Sequence, residues 1–372
     1  MLIYIAKKEV TKMQRIIKIE EINETREKKL PICFPPPITS YLPYSVLSSI
    51  ICANESSYNW IYNNFIQLYH NGFGKEDYYP NSDFAYQDKL YLSATELNEQ
   101  NYKLNFKSFI DDMLFWIDNG NYIVIYLAES QIPGTRFYKK SDIIHSQFIF
   151  GYHKEKKNFY MMNFSAKSEK LDILELKFDE IIPALKYTIK INMARKNTQS
   201  ITMRDFGKDF RLILLKYNFA QSVSYDPKIN LPNIRQQLQD LINGNNSSIH
   251  NLYFTSSQNA TWGLATYDLV KKRLYEELSE GVCLDYRIMF MLYEHKKIMK
   301  QRMDYLEKKF SIKNYPDEIL GIIQLAEILK NTTLKFNITK NKNTLVGFEA
   351  QIEEMRKLEI DLYEKYIAGI IV

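Results

Sequence analysis

Cysteine, glycine and long apolar runs are scarce in this chain of 372 residues, which has 3 Cys and 12 Gly. The cysteines Cys33, Cys52 and Cys283 are odd in number and far apart. This spacing argues against a disulfide framework and for reduced thiols in a cytosol. No CxxC or HxxxH pair indicates a structural zinc site, and no motif indicates a cofactor. No apolar run approaches the ~18 residues that a membrane span needs, so we expect no membrane segment.

A strong charge of one sign is also missing. The chain has 49 Lys and Arg residues and 44 Asp and Glu residues, which gives a net charge of +5. No block of basic residues is long enough to give the electrostatic footprint of a nucleic-acid-binding protein. The N-terminus, MLIYIAKKEVTKMQR, places its apolar residues before its charges, the reverse of a secretory signal. These patterns predict a cytoplasmic protein that does not bind nucleic acid.

The chain is instead rich in aromatic residues (14%), with 45% apolar and 25% charged residues, which is typical of a globular protein. Strand and helix patterns share the first half, and helical patterns fill the second half. We therefore predict an α+β domain over 1–190 and a mostly helical domain over 191–372, whose long helices could pair in a homodimer. Helices are predicted at 44–53, 56–69, 104–118, 179–187, 230–243, 262–278, 286–310, 316–330 and 344–367, and strands at 2–5, 122–127, 145–151, 158–163 and 171–178, with a loop over 71–90.

Two β-rich runs around a polar turn predict a hairpin, DIIHSQFIFGYHKEKKNFYMMN, over residues 142–163. Gly151 and the charged segment 153–158 are expected to form its turn. His145 would begin one strand and Asn163 would end the other, so the two side chains would be neighbours across the ladder. A His beside an Asn is the pair of base and orienting residue found in papain-like cysteine enzymes. The alternative is an ordinary strand end with no chemistry.

With these elements placed, the chain resembles a papain-like fold, and more closely the N-terminal domain of the butirosin-biosynthesis acyltransferase family. That family is related to bacteriocin-processing cysteine peptidases. The residues that carry the resemblance are His145-Ser-Gln-Phe-Ile-Phe-Gly-Tyr and Asn158-Phe-Tyr-Met-Met-Asn163. Some members of this family are found with nonribosomal peptide gene clusters. Two stretches in the second half of the chain are similar to them: Trp262-Gly-Leu-Ala-Thr-Tyr267 and Tyr293-Glu-His-Lys296.

The resemblance implies a papain-like domain with an antiparallel sheet and an N-terminal helix. It also implies transfer of an acyl group from a carrier-protein thioester, as in the cysteine-protease-like enzyme of polythioamide assembly. An acyl or peptidyl carrier protein and a small acyl substrate would be the partners, and the mildly basic surface suits an acidic carrier. His145 would be the base and Asn163 would hold its ring. A catalytically inactive homologue that binds a carrier protein, peptide or pathway product is the alternative.

The nucleophile is where this sequence departs from the family, which places Cys at the first turn of the helix. The corresponding positions here are Tyr44 and Ser45. Three possibilities follow: Cys33 folds back to the helix start, Ser45 is the nucleophile, or the site is inactive. We assign Cys33 as the nucleophile. Ser45 is expected to be a helix cap and Cys52 a core residue.

Two further motifs have ordinary structural interpretations. Cys283 lies between predicted helices and is expected to be structural. Glu294-His295-Lys296 lies within a predicted helix and is expected to form a solvated or salt-bridged face rather than a pocket.

Overall fold

The protein has an α+β fold, as the sequence predicts. The computed structural model describes residues 15–17, 26–54, 57–70, 76–79, 91–197, 208–218, 228–250, 260–279 and 283–370. Contacts divide the chain into two compact units: unit 1 is Met1–Glu55 with Tyr86–Asp226, and unit 2 is Ser56–Ala85 with Pro227–Val372. This division differs from the predicted boundary at 190/191, because a segment of the first half belongs to unit 2 and about 35 residues after position 190 belong to unit 1.

The strands and helices of the described residues are numbered in chain order. The strands are β1 (Arg15–Ile17), β2 (Glu27–Lys29), β3 (Ile32–Phe34), β4 (Gln67–His70), β5 (Glu76–Tyr79), β6 (Leu92–Leu97), β7 (Asn121–Ala128), β8 (Ile144–His153), β9 (Asn158–Phe164), β10 (Leu171–Lys177), β11 (Leu212–Tyr217) and β12 (Thr261–Trp262). The helices of four or more residues in α geometry are α1 (Leu42–Ile51), α2 (Tyr58–Asn63), α3 (Phe109–Asp118), α4 (Phe178–Asn197), α5 (Leu231–Asn243), α6 (Thr266–Ser279), α7 (Tyr286–Phe310), α8 (Pro316–Thr339) and α9 (Phe348–Gly369).

Unit 1 is built on one antiparallel sheet with the strand order β10-β9-β8-β7-β11-β6, and β2 pairs with the far end of β8. The central strand β7 is an almost unbroken apolar run, NYIVIYLA, and is buried along most of its length, as a strand covered on both faces must be. Helix α3 packs against β7, and Ala128 at the end of β7 donates to the Thr188 hydroxyl of α4 at 2.8 Å. The predicted antiparallel sheet is confirmed.

Gly151 lies inside β8 and not in the hairpin turn, so the sequence prediction was wrong at this residue. It pairs with Lys29 of β2 and with Tyr160 of β9, and residues 154–157 form the turn. A Cβ at this position would collide with the Lys28 carbonyl oxygen and would lie 2.9 Å from the Lys29 Cα. The missing side chain is therefore what lets β2 cross close to β8.

Replacing Gly151 with Ala is expected to destabilise unit 1 by about 1–3 kcal/mol, because backbone and not a flexible side chain blocks the new methyl group. The measurement is the urea midpoint of unfolding. Gly321→Ala is the matched control, since a Cβ there meets nothing within 4 Å and a helical Gly→Ala change is neutral or stabilising. Equal stability of the two variants would contradict the close approach of β2.

Unit 2 is mostly helical, as expected, and the bounds of its longest predicted helix are confirmed by α7. Asn230 caps α5 through the Asn233 N–H at 3.0 Å, and Gly244 ends that helix with a φ of 67°. One predicted helix, 56–69, is wrong in its second half. Phe65 has a left-handed φ of 53°, and the chain then continues as β4, which pairs with β5 and β12.

The predicted strand at 2–5 and most of the predicted loop over 71–90 lie outside the described residues. Within that loop, Glu76–Tyr79 forms strand β5, so the prediction was wrong there. Among the described helices, none combines the length and the apolar content that crossing a bilayer requires.

The Glu294–Lys296 segment of α7 is salt-bridged but not solvated. His295 and Lys296 are fully buried, and the Lys296 Nζ lies 2.6 Å from Oε1 of the equally buried Glu359 on α9. The Nζ also donates to the Tyr267 hydroxyl at 2.7 Å and lies 3.0 Å from the His295 Nδ1. The other ring nitrogen, Nε2, donates to the Ile66 carbonyl at 2.8 Å. The salt-bridge half of the prediction is therefore confirmed.

Burial, and then the charge of Lys296, hold the pKa of His295 well below its ordinary value. A histidine that stays neutral when folded but binds a proton when unfolded stabilises the fold above pH ~6.5 and loses this effect as the pH falls. We expect the free energy of unfolding to drop between pH 6.5 and 5.5 by up to about 1.4 kcal/mol per pH unit from this residue. Urea unfolding followed by circular dichroism at 222 nm measures it.

His295→Gln is the control for this pH dependence, because the amide can still donate to the Ile66 carbonyl but does not titrate. Its stability should fall less steeply over the same pH range. Part of the slope should remain, because burial and Arg273 also lower the pKa of His70. An unchanged slope in His295→Gln would contradict the assignment.

Candidate active site

The end of the sheet where β7 stops and β8 begins gathers the polar side chains of unit 1 that could do chemistry. Leu127 pairs with His145 and Ala128 with Ile144, so Glu129, the next residue, comes beside His145. On the other side of β8, Phe148 pairs with Met162 of β9, which brings Asn163 to the same end. Three neighbouring antiparallel strands, or the residue that directly follows one of them, therefore bring polar side chains to one small region.

His145 is bonded to a carboxylate through one ring nitrogen. Its Nδ1 lies 3.3 Å from Oε1 of Glu129. An ionised carboxylate only accepts hydrogen bonds, so Nδ1 carries the proton and Nε2 presents its lone pair. The His145 side chain is 29% exposed, whereas that of Glu129 is 1% exposed. The ring is thus held through Nδ1, and Nε2 has no hydrogen-bond partner among the described residues.

Asn163 was predicted to hold the His145 ring, but among the described residues it hydrogen-bonds the carboxylate that holds the ring and not the ring itself. Its Nδ2 donates to Glu129 Oε1 at 3.1 Å and to Gln147 Oε1 at 2.5 Å. Its Oδ1 accepts from the Phe164 N–H at 2.6 Å. The Gln147 Nε2 donates in turn to the His145 carbonyl at 3.2 Å. Asn163 and Gln147 are both fully buried, so this network fixes the direction of the Glu129 carboxylate.

The second carboxylate oxygen of Glu129, Oε2, is buried and has no hydrogen-bond partner among the described residues. A buried carboxylate normally has both oxygens satisfied, since each unpaired polar group costs about 1–3 kcal/mol. An unpartnered buried oxygen beside the partly exposed His145 ring makes this end of the sheet the candidate site of unit 1.

Cys33 lies in β3, where it pairs with Ile16 of β1. The side chain is 1% exposed, and its Sγ donates to the Pro35 carbonyl at 3.7 Å. The segment is extended, as the flanking Pro31 and Pro35 favour. Among the described residues, the hydrogen bond of the His145 ring is to Glu129 and not to a thiol. The structure therefore brings together His145, Asn163 and Glu129, and leaves Cys33 in a separate hydrogen bond.

Cys52 lies directly after α1 and is fully buried. Burial, and then the proximity of Cys33, raise the pKa of its thiol well above the ordinary value. Because the thiolate is the nucleophile, this environment makes Cys52 inert. The expectation that Cys52 is a core residue is confirmed. Cys283, in unit 2, is exposed and lies 2.7 Å from the Lys340 Nζ.

Helix α1 begins at Leu42, two residues before the predicted start, with Pro43 in its first turn, and Ser45 does not cap it. Tyr41 occupies the N-cap position, and the Ser45 hydroxyl donates to the Tyr41 carbonyl one turn back, at 3.0 Å. The prediction of a Ser45 cap was wrong. Tyr44 and Ser45 are both fully buried, and the Ser45 proton is already used in a helix hydrogen bond.

The loop from 130 to 143 encloses one side of the site. The Glu129 N–H donates to the Ile143 carbonyl at 2.9 Å, and the Lys139 N–H donates to the Ser130 carbonyl at 3.1 Å. Asp142 accepts from the Ser130 hydroxyl at 2.5 Å and from the Tyr187 hydroxyl of α4 at 2.9 Å. These two donors hold the pKa of Asp142 below its ordinary value, with the Ser130 hydroxyl contributing most.

Glu129 and Gln147 are the site residues that the sequence analysis missed. Glu129 follows an apolar strand directly, and a carboxylate at the end of a buried strand is a recognisable signal for a site at the sheet edge.

Among the described residues, no cluster of three or more His, Cys, Asp or Glu side chains could hold a metal ion. No family model matches the chain, and a comparison with curated proteins gives no significant match.

Proposed function

We propose that the protein is a cysteine-protease-like acyltransferase that acts on carrier-bound thioesters in bacterial secondary-metabolite biosynthesis of the nonribosomal peptide type. The observation that supports it most is the ring of His145, which is held by a buried carboxylate at Nδ1 and is open at Nε2. A base of this kind removes a proton from a nucleophile and later returns it to a leaving group. The papain-like arrangement suggested by the sequence belongs to the same proposal.

In the proposed reaction, His145 Nε2 takes the proton of the Cys33 thiol, and the thiolate attacks the thioester carbonyl. The carbon–sulfur bond to the carrier breaks, and the carrier thiolate leaves with the proton from His145. An acyl-Cys33 intermediate results. An amine then attacks this intermediate, His145 takes the amine proton, and the Cys33 thiol is regenerated. Glu129 stabilises the imidazolium that forms in each step, and Asn163 keeps the carboxylate in place.

Cys33 is the proposed nucleophile because Cys52 is inert and Ser45 is engaged in its helix. For the reaction, the Cys33 thiol must exchange its hydrogen bond with the Pro35 carbonyl for one with His145. Pro31, two residues before Cys33, accepts through its carbonyl from the Tyr122 hydroxyl at the start of β7, whereas His145 pairs with Leu127 near the end of that strand. The proposal therefore requires the segment that carries Cys33 to move toward His145.

The test is single-turnover acylation by an acyl-N-acetylcysteamine thioester, followed by intact-protein mass spectrometry. The wild-type protein should gain one acyl group, and Cys33→Ala and His145→Ala should lose this reaction. Cys52→Ala is the matched control and should be acylated like the wild type. Full acylation of Cys33→Ala would overturn the role of Cys33, and full acylation of His145→Ala would overturn the mechanism.

A second candidate function is favoured by the burial of Cys33 and by its hydrogen bond to the Pro35 carbonyl. In this alternative the protein is an inactive homologue that binds a carrier protein, a peptide or a pathway product. It predicts that no cysteine of the wild type is acylated, and that iodoacetamide does not alkylate Cys33 faster than an ordinary buried thiol.

A further inference from the structure

We propose that the loop 130–143 is the docking surface for the acidic face of the carrier protein that bears the thioester. This inference rests on the proposed function and adds the part of the surface that recognises the partner. The loop contains three basic residues, Arg136, Lys139 and Lys140, and one acidic residue, Asp142.

The acidic residue of the loop does not neutralise its lysines. Both carboxylate oxygens of Asp142 are occupied by the hydroxyls of Ser130 and Tyr187. Lys139 and Lys140 are exposed, and neither forms an ion pair with any residue that the structure describes. Other exposed lysines of unit 1, such as Lys156 and Lys157, also have no ion pair among the described residues, so the loop lysines are distinguished by their place beside the site. The loop keeps a formal charge of +2, from three basic residues and one acidic residue.

The two lysines lie in a loop that is hydrogen-bonded to the backbone of Glu129, beside His145. The Lys139 N–H bonds the Ser130 carbonyl, and Ser130 adjoins Glu129, which holds His145. Lys139 has a left-handed φ of 56°, and its Nζ lies 5.1 Å from the centroid of the Tyr138 ring. On the other side, Nη2 of Arg195 in α4 donates to the Asp142 carbonyl at 3.4 Å. Positive charge thus borders the side of the site formed by this loop.

An acidic protein surface is the partner that this arrangement fits. Two exposed lysines are too few for the long series of phosphate contacts that nucleic-acid binding requires. They are sufficient to steer a small acidic protein, since complementary charges at the rim of an interface raise the association rate. A carrier that docks on the loop would deliver its thioester to the adjacent imidazole.

The test compares a neutral acyl-N-acetylcysteamine thioester with the same acyl group on a small acidic acyl carrier protein, at low salt. The double variant Lys139→Glu/Lys140→Glu should lower kcat/KM for the carrier substrate by about tenfold, mainly through KM. Its rate with the neutral thioester should stay within about twofold of the wild type. Salt at 0.5 M should reduce the difference between variant and wild type, because exposed charges are screened.

Lys156→Glu/Lys157→Glu is the matched control at the opposite end of β8. These lysines are also exposed, and Lys157 also has a left-handed φ, of 51°. The control should turn over both substrates like the wild type. Three results would each overturn the docking surface. The two double variants could lose kcat/KM for the carrier substrate equally, or the loop variant could keep the wild-type kcat/KM. The loop variant could also lose as much activity with the neutral thioester as with the carrier substrate.

Direct binding separates this inference from the proposed reaction. The anisotropy of a fluorescently labelled carrier protein is measured against the wild type and both double variants. If the wild type binds the carrier through the loop but acylates nothing, the docking surface holds and the reaction fails. If a short DNA duplex binds as tightly and loses affinity equally in the loop variant, the surface is a general anion site and the inference fails.

Discussion

Glu129→Gln is expected to slow the single-turnover acylation of Cys33 by about 10²–10⁴-fold, the range by which a positioned acid–base group accelerates a reaction. The carboxylate accepts the Nδ1 proton of His145 and stabilises the imidazolium. An amide has no charge and so stabilises the imidazolium much less, although Asn163 Nδ2, which donates to Oε1, would keep the amide oxygen toward Nδ1. The measurement is the rate of acyl-enzyme formation by intact-protein mass spectrometry, and ¹⁵N shifts of His145 report the tautomer.

The fold should tolerate Glu129→Gln, because the carboxylate is buried and its Oε2 is unpartnered. Gln keeps the shape of the side chain and avoids the desolvation cost of a buried charge. Asp142→Asn is the matched control: this carboxylate lies in the adjoining loop and accepts from two hydroxyls, so the acylation rate should change by less than about threefold. A rate in Glu129→Gln equal to that of the wild type would show that the His145 ring is oriented without the carboxylate.

The sequence predicted that His145 and Asn163 lie at the same end of neighbouring strands, but not which residues join them there. A His at the start of a strand and an Asn at the end of its partner are visible in the pattern, because strand pairing brings the ends of a hairpin together. Glu129 was missed because it joins the site from β7, the strand on the other side of β8. That pairing depends on the order of strands in the sheet, which apolar periodicity does not encode.

The fold shows the same division between local and long-range information. The bounds of α7 and the caps of α5 follow from helical periodicity, Asn230 and Gly244, which are local signals. Strand β11 was missed because its sequence, LILLKY, is short and follows a polar segment, although it lies between β7 and β6. The burial of Lys296 was missed for a related reason: its partner, Glu359, is 63 positions away. A lysine in a helix looks solvated until the helix that packs on it is known.

Lys296→Met is expected to lower the free energy of unfolding of unit 2 by about 3–5 kcal/mol, the usual cost of leaving one charge of a buried pair unpaired. Lys296 Nζ and Glu359 Oε1 are 2.6 Å apart and both side chains are fully buried. The hydroxyls of Tyr267 and Tyr363 also donate to Glu359, at 2.5 and 2.9 Å. These neutral donors remain in the variant but do not balance the charge. Amide hydrogen exchange in α7 and α9 measures the loss within unit 2.

The double variant Lys296→Met/Glu359→Leu separates two effects: the loss of the ion pair, and the cost of leaving the Glu359 carboxylate buried without a cation. It should be more stable than Lys296→Met alone, because both charges are then absent and apolar groups fill the space. Lys272→Met is the matched control on α6: Lys272 pairs with Glu276 at 3.7 Å, with both side chains more than half exposed, and such a surface pair contributes about 0–1 kcal/mol. A loss in Lys296→Met no larger than in Lys272→Met would mean that water reaches Glu359. In that case the helices of unit 2 would open far more readily than their buried contacts imply.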